Sequence, residues 1–279
     1  MGMGSMDVTV AATEREVHEA AVALWPFVQS GQVGFPLAGK KSREGLETVW
    51  SSHPEREGDE LYIVRCGPVI IGACGFFLSD AKNAQTVCGP VAVNSHEAVY
   101  AQLVANMQER HPLASIIVGI SHRHVTARAW LKSAGELLEH CLPFEGINLA
   151  GSREAHVFAD DEQDEFARLF DRLVGHDLWW RADRIRAHWG EWICVTGGDG
   201  QSVLAARNYV SSAMSEVFAA SALDDATLRA MLSTWISTAT TRGYSDFVYF
   251  ADLSEREVVE SLGFSCDDEY LAFRVPACK

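Results

Sequence analysis

Basic side chains are scarce. Twenty-three Lys and Arg stand against 38 Asp and Glu, a formal net charge of −15 at pH 7. A field of that sign repels a phosphate backbone, so no nucleic-acid partner is expected. Long apolar runs are also missing. The longest, Pro68 to Leu78, is interrupted by Gly72 and Gly75 and falls short of the roughly 20 residues that a membrane-spanning helix requires. No membrane segment is expected. The seven cysteines, Cys66, Cys74, Cys88, Cys141, Cys194, Cys266 and Cys278, form an odd set without a C-x-x-C pair, and several lie within apolar runs. That spacing points to reduced thiols in a reducing compartment. Met1 to Met6 has neither a basic region nor an apolar stretch, so a secretory leader is not expected and a cytoplasmic location is.

What remains is the balance of a folded protein. Apolar residues make up 48% and charged residues 22% of 279 residues, enough chain for one large core or two ordinary domains. Val17, Ala20, Ala21, Leu24 and Val28 mark one face of a helix over Glu14 to Ser30. A polar stretch with one short helix follows, from Gly39 to Asp59. Leu61 to Cys66, Val69 to Leu78 and Ala84 to Val93 then read as an antiparallel meander, with turns at Gly67-Pro68 and Asp80 to Asn83. A helix from Ser95 to Pro112, a strand over Ser115 to Ser121, a helix from His124 to Ser133 and a strand over Cys141 to Ile147 complete the first half.

The second half repeats that order. Phe166, Leu169, Phe170, Leu173 and Val174 set a helix over Asp161 to Val174. Strands are expected at Trp192 to Thr196, Val203 to Val210 and Ala213 to Ala220. A helix over Ala226 to Thr241, a strand over Asp246 to Ala251, a helix over Glu255 to Leu262 and a last strand over Glu269 to Val275 follow. Matching landmarks keep nearly constant offsets: 128 residues separate Gly135 from Gly263, 127 separate Val93 from Ala220, and 131 separate Leu61 from Trp192. Two similar α/β domains with mixed sheets are therefore expected in tandem, over residues 1–147 and 155–279, joined by Asn148 to Glu154. Residues 151–279 hold 12 basic and 22 acidic side chains, and so carry −10 of the net charge.

Three stretches carry a resemblance to a known family. They are the hairpin Ile63-Val64-Arg65-Cys66-Gly67 into Val69-Ile70-Ile71-Gly72, the strand Gly89-Pro90-Val91-Ala92-Val93 leading into a helix, and the junction Glu260-Ser261-Leu262-Gly263-Phe264. In their order the chain resembles GNAT-type N-acyltransferases, twice over nearly its whole length. The resemblance implies a fourth strand that diverges from the fifth, with acyl-CoA, typically acetyl-CoA, as cosubstrate gripped by the exposed amides. It also implies a pyrophosphate held at the start of the following helix, where unpaired N–H groups and the helix dipole favour an anion.

Carried onto this sequence, the donor site falls on Val91, Ala92, Val93, Asn94, Ser95 and His96 of the first copy. Neither copy has the glycines of the family's loop. The second copy reads Ser221-Ala222-Leu223-Asp224-Asp225 at the same place, where two carboxylates repel a pyrophosphate and serve as helix caps. The family's base is often a carboxylate on the fourth strand, and Glu216, four residues before Ala220, occupies such a place. The first copy offers only Thr86 and Cys88 there. The tyrosine that reprotonates the leaving thiolate is replaced by Leu131 and Val259, leaving Tyr209, Tyr249 and His124 as candidates.

Other features read more simply. His122 and His124, two apart, would face one way on a strand, but no third ligand accompanies them, and no metal is expected. Trp179-Trp180, with Trp189 and Trp192, reads as a packed interdomain contact before it reads as an acceptor pocket. Gly197-Gly198-Asp199-Gly200 lacks the Lys-Ser/Thr of a phosphate loop and reads as a hairpin turn. The implied activity is transfer of an acyl group to the amine of a small, cationic molecule, drawn in by the acidic balance. The alternatives are a noncatalytic binding or scaffold protein that has lost the CoA site and, disfavoured by charge, acyl transfer from aminoacyl-tRNA.

Overall fold

A computed structural model describes residues 5–29, 42–51, 60–78, 83–175, 180–198, 200–209 and 213–277. The chain forms two compact units, Met1–His140 with Asp268–Lys279, and Cys141–Asp267.

In the first unit, β1 (Met6–Val10) leads into α1 (Glu14–Gln29) and α2 (Arg43–Trp50), followed by β2 (Glu60–Cys66), β3 (Val69–Leu78) and β4 (Asn83–Ala92). Then come α3 (Glu97–Arg110), β5 (Ser115–Ser121), α4 (Val125–Ala134) and β6 (Glu136–Ile147), which passes into the second unit from Cys141. The meander expected for β2, β3 and β4 is antiparallel, and β1 adds an edge strand antiparallel to β2. One face of this sheet packs Ile116, Val118 and Ile120 against Leu103, Met107 and Leu131 of the two helices behind it. The other face packs Ile63, Ala73 and Val91 against Ala20, Leu24 and Trp50. The alternation of β5, with every second residue driven into the same core, is what makes Ser115–Ser121 a strand.

The second unit contains β7 (His156–Val157), α5 (Gln163–Leu173), α6 (Ala182–Ala187), β8 (Trp192–Thr196), β9 (Val203–Tyr209) and β10 (Met214–Ser221). After these come α7 (Asp225–Thr241), β11 (Asp246–Asp252) and α8 (Arg256–Glu260). β7, β8, β9 and β10 are antiparallel neighbours, β10 runs parallel to β11, and β11 pairs antiparallel with the Cys141–Ile147 part of β6. Trp235, Met231 and Ile236 of α7 fill one core, and Phe166, Phe170 and Ile185 of α5 and α6 fill the other.

The chain crosses between units differently from the expected division at 147 and 155. β12 (Tyr270–Val275), expected to close the second domain, pairs antiparallel with β5 of the first unit from Tyr270↔Ser121 to Val275↔Ile116. Leu271, Phe273 and Val275 enter the same core as Ile116, Val118 and Ile120, so burial of that apolar face sets the strand's place. Gly135 permits the arrangement, because a Cβ there would come within 2.6 Å of the Arg274 carbonyl. The strand expected over Cys141 to Ile147 supplies β11's partner and begins earlier, at Glu136. Periodicity also missed β1, β7 and α6, which are too short to show a repeat.

Candidate functional site

The fourth and fifth strands of the first unit diverge. β4 pairs with β5 only through Asn83↔Ser115, Ala84↔Ile116 and Gln85↔Ile117. Beyond that point Gly119 donates its amide to Thr86 Oγ1 at 3.3 Å, while the other edge of β5 stays paired with β12 from Ile116 to Ser121. On its other side β4 bulges: Ala73↔Val91 is followed by Gly75↔Val87, so Cys88, Gly89 and Pro90 oppose Cys74 alone. Cys88 takes φ 47°, and the Trp50 indole holds its carbonyl at 3.1 Å. Such a bulge re-aims the backbone beside an opening between strands.

Val91 and Ala92 close β4 as buried residues, and Val93, Asn94 and Ser95 form a single 3₁₀ turn into α3. Asn94 adopts φ 53°, ψ 27°, the left-handed conformation that asparagine tolerates better than most residues. The glycine missing from the sequence is thereby replaced in conformation. His96 stands exposed at the N-cap and makes no side-chain hydrogen bond to the first turn, where Glu97 is the acidic residue. The start of α3 is thus without a side-chain cap.

The second unit repeats the divergence and closes the helix start. β10 and β11 pair from Met214↔Asp246 to Val217↔Tyr249. A bulge at Phe218 then leaves Ala219, Ala220 and Ser221 paired with β9. Asp224 caps α7, its carboxylate accepting from the Thr227 amide at 2.8 Å, and that bond holds its carboxyl below the usual range. Asp225 adds a second carboxylate in the first turn. A negatively charged cap already occupies the place where an anion would meet this helix.

Glu216 lies in the paired part of β10, half-buried, in register with Arg207 on one side and Val248 on the other. Arg207 donates from Nε and Nη2 to Glu191 at 3.1 and 2.8 Å and stacks over the Trp180 ring at 4.6 Å. Trp180 in turn packs on Trp192 and Phe218 at centroid distances of 5.1 and 6.0 Å. Trp192, with Trp180 and Trp189 against it, belongs to a core of the second unit itself. Trp179 and Asp199 lie outside the described residues. The strand expected to reach Val210 ends at Tyr209 among the described residues.

Glu216 and the Val91–His96 segment belong to different units. Among the replacements for the missing tyrosine, Tyr249 is buried in the α7 core and donates to Glu255 Oε2 at 2.8 Å. Burial and the Glu255 carboxylate push its hydroxyl well above the ordinary tyrosine value. Tyr209 stacks on Arg207 at 5.3 Å. His124 and His122 are not strand neighbours, because β5 ends at Ser121. His124 is the N-cap of α4, its Nδ1 accepting from the Ala127 amide at 3.4 Å, while His122 lies against Glu269 at 3.3 Å. His124 is 1% exposed; burial lowers its pKa to about 4, against the opposing pull of the Pro90 carbonyl. It is neutral at pH 7.

One residue that the sequence reading missed is Tyr270. Its ring and hydroxyl lie over Gly119, so a Cβ on that glycine would overlap them. No local signal could have shown this, since the two positions are brought together only by the crossing of β12 into the first unit.

Among the described residues, no helix is long and apolar enough to cross a membrane. The six described cysteines are thiols outside any disulfide, and Cys278 lies outside the described residues. No protein-family profile matches the sequence, and no curated protein matches it. Solved structures do. The GCN5-related N-acetyltransferase from Sphaerobacter thermophilus is similar over 96% of this chain and 95% of its own, with a TM-score of 0.71 at 11% identity. A tandem GNAT protein from the clavulanic acid biosynthesis pathway is similar over 98% and 99%, with a TM-score of 0.62 at 11% identity. A GNAT-family acetyltransferase from Colwellia psychrerythraea follows, over 96% and 99%, with a TM-score of 0.53 at 10% identity. With the two diverging strand pairs, these likenesses give the chain the fold of the GNAT N-acetyltransferases, present in tandem.

Proposed function

We propose that the protein is an N-acyltransferase that takes acetyl or another acyl group from acyl-CoA and delivers it to the amine of a small, cationic molecule, with the first unit holding the donor. The observation that carries this reading is the contrast between the two helix starts. α3 follows a diverging β4 and has no side-chain cap, whereas α7 is capped by Asp224. In the proposed complex the pantetheine arm lies along Val91, Ala92 and Val93, and the pyrophosphate meets Asn94, Ser95 and His96 at the start of α3. The second unit then contributes fold and acceptor recognition, and the 10 basic against 21 acidic side chains of residues 141–267 favour a cationic amine over an anionic acceptor.

Glu216 is the base in this reading, and it is a separate claim with its own test. A base at this step removes the proton that keeps the acceptor amine cationic, so that nitrogen can attack the thioester carbonyl and release the CoA thiolate.

Calorimetric titration of the full chain with acetyl-CoA is expected to saturate. His96→Asp is expected to weaken binding about tenfold, the effect of placing a like charge beside a phosphate. Leu223→Asp, an exposed site at the other helix start, is expected to change it less than about twofold. Absence of saturation at millimolar acetyl-CoA would retire the reading in favour of a noncatalytic GNAT-fold protein. Glu216→Gln is expected to lower kcat by about a hundredfold or more with unchanged acetyl-CoA affinity, and an unchanged kcat removes Glu216 from the mechanism.

A further inference from the structure

A cleft of about 550 Å³ opens in the second unit between α5, the edge strand β7 with its neighbour β8, and the turn that joins β8 to β9. Its size is that of a small-molecule site, and its chemistry runs against the rest of this acidic unit. Arg168 and Arg172, one helical turn apart on α5, line the same wall. Arg172 Nη2 donates to the Gly200 carbonyl at 2.6 Å, which holds the turn against the helix. Arg168 has no hydrogen-bond or ion-pair partner among the described residues. Across the cleft Thr196 and His156 are in register on adjacent strands and so present their side chains to the same side.

Thr196 supplies the second observation. It is 7% exposed, it lines the cleft, and its Oγ1 has no hydrogen-bond partner among the described residues. A buried hydroxyl left unpaired is costly and uncommon in a folded protein. Here the residue that carries it lines a cleft that Arg168 also lines. The turn contributes Gly198 and Gly200, at φ 79° and 66°, so no side chain from these two positions fills the cleft. Phe158 and Leu169 provide an apolar floor. Glu165 also borders the cleft, and Glu162 pairs with His156 at 2.8 Å, which leaves the two arginines as the cationic groups available to a ligand.

We propose that this cleft binds a small organic phosphomonoester, as a site separate from the acyl-CoA wedge of the first unit. The phosphate oxygens take hydrogen bonds from Arg168 and Arg172 and from the Thr196 hydroxyl, and the organic part rests on Phe158 and Leu169. Two guanidinium groups on the α5 wall and a hydroxyl on the strand wall offer more donors than a two-oxygen carboxylate uses, and suit a three-oxygen dianion. The inference does not depend on the acyl-transfer reading.

The test uses the full chain in phosphate-free buffer, with inorganic phosphate, glycerol 3-phosphate and acetate as probes in calorimetry and phosphorus NMR. Glycerol 3-phosphate is expected to bind saturably with one-to-one stoichiometry, more tightly than inorganic phosphate, with acetate showing no saturation. Arg168→Gln and Thr196→Val are each expected to weaken binding about tenfold or more, the loss of one charge-assisted or buried hydrogen bond. Thr196→Val should melt no lower than the unsubstituted protein without ligand, because it removes an unpaired hydroxyl at nearly constant volume. It should also lose the rise in melting temperature that glycerol 3-phosphate produces.

Absence of saturable phosphomonoester binding, binding unchanged in both variants, or equal binding of acetate would overturn the proposal. Acetyl-CoA itself carries a phosphomonoester. If Arg168→Gln weakened acetyl-CoA binding as much as glycerol 3-phosphate binding, the cleft would belong to the acyl donor and the separate site would fall.

Discussion

Acid should destabilise the first unit through one buried imidazole. His124 is 1% exposed, and its ring lies edge-on to Tyr100 at 5.2 Å. Its Nδ1 accepts from the Ala127 amide and caps α4, a role that only the unprotonated nitrogen can fill. Burial therefore lowers its pKa from 6.5 to about 4. The unfolded chain takes up a proton as pH falls through 6.5, and the folded chain does not until about 4, so stability declines across that window. The difference corresponds to a loss of about 2.5 kcal/mol between pH 7 and pH 4.5.

His124→Asn keeps a capping oxygen and removes the titration. Urea unfolding of both proteins at several pH values between about 7 and 4.5 isolates the imidazole, because the carboxylates common to both cancel in the difference. His124→Asn is expected to lose about 2.5 kcal/mol less than the unsubstituted protein over that range. Parallel pH profiles would refute the claim that a neutral, buried His124 caps α4.

Two other substitutions probe the packing that positions the site. Gly119→Ala places a methyl group where the Tyr270 ring and hydroxyl lie, and is expected to cost about 1–3 kcal/mol in chemical denaturation; a smaller cost after Tyr270→Ala would assign the loss to that contact. Trp235 is fully buried, donates from Nε1 to Ser215 Oγ at 2.8 Å and packs edge-on against Phe247 at 5.4 Å. Trp235→Phe leaves a cavity and removes a buried hydrogen bond, and is expected to cost about 2–4 kcal/mol. A loss below about 1 kcal/mol would show that the α7 core repacks.

The regular elements that recur in both halves were readable because each encodes its own burial. Phe166, Leu169 and Phe170 mark α5 at helical spacing, and Ile116, Val118 and Ile120 mark β5 at strand spacing, whatever surrounds them. The divergence of the strand pairs followed only from the family resemblance. Its means did not: Asn94 in a left-handed conformation and the Cys88–Pro90 bulge depend on backbone geometry that residue type alone leaves open. His122 and His124 lie where the expected strand over Ser115 to Ser121 and the helix from His124 put them, the first beyond the end of β5 and the second capping α4.

Sequence alone determined the duplicated order of helices and strands and the acidic balance, because periodicity and charge are sums over neighbouring residues. Tertiary structure decided which sheet receives Tyr270–Val275, which helix start lacks a side-chain cap, and how Arg168, Arg172 and Thr196 come to face one cleft. Those outcomes depend on which apolar face buries most completely and which polar atom is left over, and both are settled between residues far apart in the chain.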